Sequence, residues 1–284
     1  MSKLVILDMN KNPQAKIPQS FITLIHNLVP STIEVVHIKE NKNLMSILKD
    51  ASWIIGYPFP FTFIKRNKLL EGILFLSAQV PTSFLNTAQT FSINNIQGLN
   101  SDYVALHAIK LLQKLIDDQD IKKPTLTAGI IGSGSIAKEL KTLIEPLPLK
   151  ILSISRNEES DYQYKDYSTF LAELDIILPT VTLNPQTQDL FSKEKFFSKL
   201  KDNTSIVNIA RGELFQEDDL LEFLSRSDKS FYYTDVIFPE PYPETGKLNN
   251  HPQIYRTNHV AGFGPGLWSR IEKKAQDTLK VWFT

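Results

Sequence analysis

Three side chains able to move or stabilise charge fall at or just after the ends of apolar, strand-like runs: Arg211 in VNIARGEL, Glu240 in DVIFPEPYP and His259 in RTNHVAGFG. Histidine exchanges protons near neutral pH, a carboxylate beside it stabilises the imidazolium, and a guanidinium stabilises negative charge growing on a reacting oxygen. Taken singly, each also has an ordinary structural reading: Arg211 as a strand-end ion pair, Glu240 as a loop carboxylate between prolines, His259 as a satisfied histidine.

A second constellation reads as a phosphate cradle. In LTAGIIGSGSIAKELKTLI an apolar strand runs into Gly132, Ser133, Gly134, Ser135, Ile136 and Ala137 and then a helix, the GxGxxA form of the dinucleotide turn. Gly132 permits the tight turn, Gly134 lets backbone approach a pyrophosphate, Ala137 keeps the helix close to the sheet, and the helix N-terminus faces the phosphates. A plain strand-to-helix turn is the alternative reading. Glycine is scarce, 11 of 284 against a usual ~7%, so its clustering at 129 to 134 marks a backbone requirement.

The next strand, LKILSISRN, ends about twenty residues after the turn, where a carboxylate would bind the ribose hydroxyls of NAD. Ser155 stands there, followed by Arg156. With no carboxylate to repel a 2′-phosphate and a guanidinium to pair with it, the site favours NADP over NAD. The alternative leaves Arg156 as a solvated loop residue neutralised by Glu158 and Glu159.

These residues need elements to hold them. Up to residue 95 the apolar runs KLVILDM, TIEVVHIKE, SWIIGYP, GILFLSA and FSINN alternate with stretches such as QSFITLIHNLV and NLMSILKDA, the pattern of a parallel α/β layer. From residue 126 a second series follows: LTAGIIGSG, LKILSISR, DIILPT, TSIVNIA, SFYYTDVI and QIYRTNH, with helical stretches such as QEDDLLEFLSRSD between several of them. Between the two, SDYVALHAIKLLQKLIDD carries Val104, Ala108, Leu111, Leu112 and Leu115 at helical spacing and reads as a connecting helix. The final amphipathic segment, PGLWSRIEKKAQDTLKVWFT, would return the chain to the first lobe.

Composition narrows the classes. Basic and acidic residues balance at 31 each, which argues against nucleic acid or an anionic membrane as partner. No cysteine is present, excluding disulfides, thiolate metal sites and a cysteine nucleophile. No apolar run approaches the length of a membrane span or a signal segment, so a soluble, cytoplasmic protein without a metal is expected.

Together, GIIGSGSIA, LNPQTQDLF, IVNIARGEL with the following EDDLLEFL, DVIFPEP and NHVAG resemble, in order, the motifs of the D-isomer-specific 2-hydroxyacid dehydrogenase family, and more particularly its glyoxylate/hydroxypyruvate reductases. The resemblance covers the second lobe and, more weakly, the first. It implies that Arg211 holds the substrate carboxylate and carbonyl, that His259 is the general acid in reduction, and that Glu240 pairs with His259. It further implies cofactor contacts at Gly132, Gly134, Ser135, Ile136, Ser155, Arg156, Val181, Ile209, Ala210, Asp235, Ala261 and Gly262, and substrate contacts at Ala78 and Gln79 besides Arg211. Formate dehydrogenases of the superfamily carry glutamine where this chain has Glu240, which argues against that activity.

The sequence departs from the pattern in places. The substrate loop SAGVD of many members reads Ser77, Ala78, Gln79, Val80, Pro81, so a side chain replaces a glycine and Pro81 removes a donor. Tyr57, Phe59, Phe61 and Phe63 could form an aromatic wall for an apolar substrate or merely pack the first lobe. The segment DDQDIKKPTLT is shorter than the arm with which members usually embrace a partner subunit, so a homodimer would be weaker or use another surface. The sequence runs out directly after the returning helix, so an appended regulatory domain is not expected.

The expectation is therefore an α/β fold of two Rossmann-like lobes. A flavodoxin-like substrate lobe takes residues 1–97 and 266–284, and a dinucleotide-binding lobe takes 98–265. The expected activity is reduction of a small 2-oxo acid to its D-2-hydroxy acid with NADPH, or secondarily NADH, in a cleft that closes to exclude water. A catalytically silent NAD(P)H-binding sensor or scaffold of the same fold is the alternative.

Overall fold

The computed structural model describes residues 2–10, 12–40, 43–85, 90–119, 126–156 and 160–284, with the side chain of Leu85 left aside. It divides into two compact units, Met1–Asn100 with Phe263–Thr284, and Ser101–Gly262.

In the first unit five strands, β1 (Lys3–Leu7), β2 (Glu34–Ile38), β3 (Trp53–Gly56), β4 (Gly72–Phe75) and β5 (Ser92–Asn95), form a wholly parallel sheet in the order β2-β1-β3-β4-β5. This is the flavodoxin-like order, with its switch point between β1 and β3. Strands β3 and β4 are buried along their whole length, which explains why they read as unbroken apolar runs rather than alternating ones. Phe59 is buried, edge-on to Phe84 with ring centroids 5.4 Å apart, and Phe61 stacks edge-on to the same ring at 5.2 Å. With Phe63 packed against the same cluster, the phenylalanines of segment 57 to 63 serve the core of this unit, not an open wall.

The helix Leu267–Phe283 closes this unit, burying Ile271, Ala275 and Leu279 on one face. Its rings interlock with the strands and the first helix: Trp268 with Phe21 at 5.6 Å, Phe283 with Trp53 at 4.9 Å, and Trp282 Nε1 donating to Ser92 Oγ at 3.1 Å. Burying each large aliphatic side chain on that face stabilises the unit by roughly 1.5–3 kcal/mol.

The second unit holds a seven-stranded parallel sheet of β6 (Leu126–Ile131), β7 (Leu149–Ser155), β8 (Tyr162–Gln163), β9 (Ile176–Pro179), β10 (Ser205–Asn208), β11 (Tyr232–Thr234) and β12 (Ile254–Arg256). Their order, β12-β11-β10-β9-β6-β7-β8, is the doubly wound dinucleotide-binding arrangement, with the switch point between β6 and β9. The helix Ser101–Asp118 buries Val104, Ala108, Leu111, Leu112 and Leu115 in one cluster with Leu140 and Ile144 of the helix Ser135–Ile144. Among the described residues no helix is long and apolar enough to cross a membrane.

Candidate active site

Arg211 is presented by a turn that Asn208 builds. Asn208 ends β10 with no solvent exposure. Its Oδ1 accepts from the Ala210 amide at 3.0 Å, while its Nδ2 donates to the Arg211 carbonyl at 3.0 Å and to Tyr232 Oη at 2.8 Å. Gly212 follows because nothing larger fits: a Cβ there would stand 2.3 Å from the Ile237 carbonyl carbon. Burial lowers the Arg211 pKa, opposed by Glu213 and Glu240, yet a guanidinium stays a cation at any working pH.

Glu240 and His259 come from different loops and meet. His259 Nδ1 lies 2.7 Å from Glu240 Oε2, and Glu240 Oε1 accepts from the Ile237 amide at 3.1 Å. The hydrogen bond to Glu240 raises the His259 pKa against the opposing effect of burial, and Arg211 opposes it as well. Burial would raise the Glu240 pKa, but the His259 contact, the Ile237 amide and Arg211 together hold it below the usual carboxylate value.

His259 sits in left-handed backbone, φ 51°, a conformation unfavourable to a residue with a Cβ unless its surroundings impose it. Here Asp235 imposes it. Its carbonyl accepts from the His259 amide at 2.8 Å, its Oδ1 from the Val260 amide at 2.9 Å, and its Oδ2 from the Ala261 amide at 2.8 Å. Asp235 is 1% exposed, so the carboxylate that the family resemblance assigns to the cofactor also builds the turn that carries His259.

The glycine turn leaves room for a phosphate. Gly132 has φ 122°, and a Cβ there would meet Thr180 Oγ1 at 2.7 Å. At Gly134, which precedes the helix Ser135–Ile144 without a side-chain cap, a Cβ would meet nothing within 4 Å. Open backbone amides above an unobstructed glycine fit a dinucleotide pyrophosphate. Ala137 is buried beneath, Ile136 packs against the same core, and Ser101 Oγ donates to Ser135 Oγ at 2.7 Å.

At the end of β7, Ser155 is buried with its hydroxyl against Ser160, and Arg156 is exposed. Asp161 turns back onto the strand, accepting from the amide of Ser153 at 2.7 Å and from its hydroxyl at 2.8 Å. Glu158 and Glu159 lie outside the described residues, as does part of the short segment before β6. Val181, Ile209, Ala210, Ala261 and Gly262 all belong to this same unit, with Ile209, Ala210 and Ala261 buried.

Ala78 and Gln79 belong to the first unit, in the loop after β4. Ser77 Oγ donates to the Gln79 carbonyl at 2.8 Å, and Asn95 Nδ2 to the Ala78 carbonyl at 3.3 Å. Tyr57 follows β3, its phenol pKa pushed far up by burial and further by Asp8. Asn208, Asp235 as a scaffold for the His259 turn, and Ser101 were not singled out as holding elements by the sequence. Asn208 lies within the quoted IVNIARGEL, but its role depends on contacts with Tyr232 that no local pattern reveals.

The family model of the D-isomer specific 2-hydroxyacid dehydrogenase, NAD binding domain, matches residues 103–261, more than half of the chain. The chain belongs to this family, whose members are NAD(P)-dependent oxidoreductases. It is similar to the human glyoxylate reductase/hydroxypyruvate reductase, 32% identical over 141 residues that cover 47% of this chain and 41% of the human protein. The fold matches the NAD-dependent formate dehydrogenase of Staphylococcus aureus in complex with NAD, with TM-score 0.80, 22% identity, and 99% and 96% of the two chains covered. It matches equally the NADPH-dependent glyoxylate/hydroxypyruvate reductase of Sinorhizobium meliloti in complex with NADP and malonate, with TM-score 0.80, 19% identity, and 100% and 94% covered. Of these two fold matches, one structure holds NAD and the other NADP.

Proposed function

We propose that this protein reduces a small 2-oxo acid to the D-2-hydroxy acid, with NADPH preferred over NADH. The observation that carries this reading is the 2.7 Å contact between His259 Nδ1 and Glu240 Oε2 in the unit that also carries Arg211 and the glycine turn. When bound at the glycine turn, a reduced nicotinamide would supply the hydride that the substrate carbonyl carbon takes up. The oxygen then gains negative charge, which Arg211 stabilises and which a proton from His259 Nε2 quenches. Glu240 holds Nδ1, directing Nε2 towards the oxygen and keeping the imidazolium populated near neutral pH.

Gly132, Gly134, Ser135 and Ile136 hold the pyrophosphate in this reading, and Ser155 with Arg156 takes the 2′-phosphate. Val181, Ile209, Ala210, Asp235, Ala261 and Gly262 flank the remainder of the cofactor, and Ala78 and Gln79 contribute to substrate binding. Oxidation of formate to carbon dioxide demands no proton transfer to or from the substrate carbon's oxygens, so a carboxylate that raises a histidine pKa has no evident task there. Glu240 therefore favours a 2-oxo acid over formate.

The test is the fall in nicotinamide absorbance when the purified protein receives NADPH or NADH with a panel of 2-oxo acids, beside NAD with formate. Consumption of NADPH with at least one acid supports the proposal. Silence across the panel with nucleotide binding intact replaces it with a sensor or scaffold.

A further inference from the structure

His107 lies on the helix Ser101–Asp118, far from the His259 loop in sequence, and the proposed reaction gives it no role. Its Nε2 stands 3.0 Å from Thr257 Oγ1 and 3.5 Å from Asp235 Oδ1. Thr257 Oγ1 in turn hydrogen-bonds to Asp235 Oδ1, and the two oxygens of Asp235 receive the amides of Val260 and Ala261.

Counting protons fixes the direction of this chain. A hydroxyl has a single proton, and the carboxylate oxygen accepts it. Thr257 Oγ1 therefore receives its own hydrogen bond from His107, which must carry its proton on Nε2. The neutral Nε2–H tautomer suffices, and burial keeps His107 towards that neutral form, with Lys110 on the same helix acting in the same direction and Asp235 opposing it. The result is a one-way run of donors, from imidazole to hydroxyl to carboxylate, ending at the group that holds His259 in left-handed backbone.

We propose that His107, acting through Thr257, is a positioning residue for His259: it fixes the Thr257 hydroxyl on Asp235 and so sets the turn that aims the histidine. This rests on the proposed role of His259. A side chain on a packing helix thereby takes part in the geometry of the reaction, although it touches neither substrate nor reacting atoms.

Gln carries an amide nitrogen at about the reach of His Nε2 and donates without titrating, so His107→Gln should preserve the donor while His107→Ala removes it. The experiment compares the two with wild type by kcat and KM on whichever 2-oxo acid is reduced. It also follows the His259 imidazole by NMR titration of the free protein, its signal among the five histidines assigned by its loss in His259→Gln. Expected for the folded alanine variant is a fall in kcat of about tenfold, the scale of one hydrogen bond lost from an oriented site, with KM within about twofold. The His259 midpoint should move down as its contact with Glu240 loosens, and His107→Gln should restore both readings.

A folded alanine variant with unchanged kcat or an unmoved midpoint overturns the proposal, as does a glutamine variant no better than alanine. If wild type reduces no acid, the reading of function fails, and the imidazole titration by itself decides whether His107 sets the turn.

Discussion

His259 Nδ1 and Glu240 Oε2 lie 2.7 Å apart although nineteen positions separate them in the chain. The contact fills one ring nitrogen and leaves Nε2 as the nitrogen from which a proton would be delivered. Removing the negative charge while keeping the shape, as in Glu240→Gln, should lower the His259 pKa. The basic limb of kcat/KM against pH should then shift towards acid, with activity at neutral pH reduced, as read from initial rates at a series of pH values. An unshifted limb would separate the contact from the chemistry.

The same pair makes stability depend on pH. His259 has a raised pKa in the folded state, so its contribution is full below the unfolded pKa and is lost as pH rises through the folded one. Glu240 has a lowered pKa, so its contribution is present above the unfolded value and lost as pH falls through the folded one. Urea midpoints should therefore be highest between the unfolded-state pKa values of the two groups, falling towards the depressed Glu240 pKa on the acid side and towards the elevated His259 pKa on the basic side. The effect should be small, since the side chains are 47% and 38% exposed, and Glu240→Gln should flatten it.

Arg211 should matter to turnover far more than to nucleotide binding. Arg211→Ala is expected to lower kcat/KM by roughly 10²–10³-fold, the scale of losing an electrostatic stabiliser of a developing oxyanion. Titration of NADPH fluorescence should give nearly the wild-type affinity. Equal losses in both measurements would place Arg211 on the cofactor instead.

Gly212 packs against the backbone of Ile237, with no side chain able to retreat. Gly212→Ala should cost about 1–3 kcal/mol of stability by overpacking, measured by urea denaturation. It should also lower kcat, because the displaced segments carry Arg211 on one side and Glu240 on the other. A stable and fully active variant would show that the two segments move independently.

Arg156 is the residue on which the proposed coenzyme preference turns. Arg156→Glu should weaken NADPH relative to NADH by about ten- to a hundredfold, the range of a lost charge-assisted hydrogen bond, read as the ratio of kcat/KM for the two coenzymes. A constant ratio would leave Arg156 as a solvent-facing side chain.

Much of the architecture is local and hence readable. The helix Ser101–Asp118 spans the segment whose apolar spacing announces it, and five apolar runs become the five strands of the first sheet. The two-residue strand β8 has no apolar run to mark it, because an edge strand need not bury both faces. Segment 57 to 63 is ambiguous in sequence, since aromatic rings serve a substrate wall and a core equally well, and only the ring contacts with Phe84 distinguish them.

In the candidate site, Gly132 and Gly134 are legible because their backbone demands are written in a short motif. The approach of Glu240 to His259 was named from family likeness, since spacing alone does not give it. The parts played by Asn208, Thr257 and His107 were not legible. His107 and Thr257 are 150 positions apart, and histidine or threonine at those places carries no periodic signal. Such contacts exist only once the sheet has set the register between strands.

The helix Leu267–Phe283 has a consequence for biosynthesis. Its rings complete the core of a unit whose strands are all made within the first hundred residues, whereas the second unit is formed entirely from chain synthesised in between. The second unit therefore needs nothing from that helix to complete its own sheet, while the five-stranded sheet waits with Phe21 and Trp53 lacking their partners. That interval exposes apolar surface on a nascent chain, the kind of surface that chaperones recognise. A released chain truncated after residue 265 should consequently yield a protease-resistant second unit and a degraded first one.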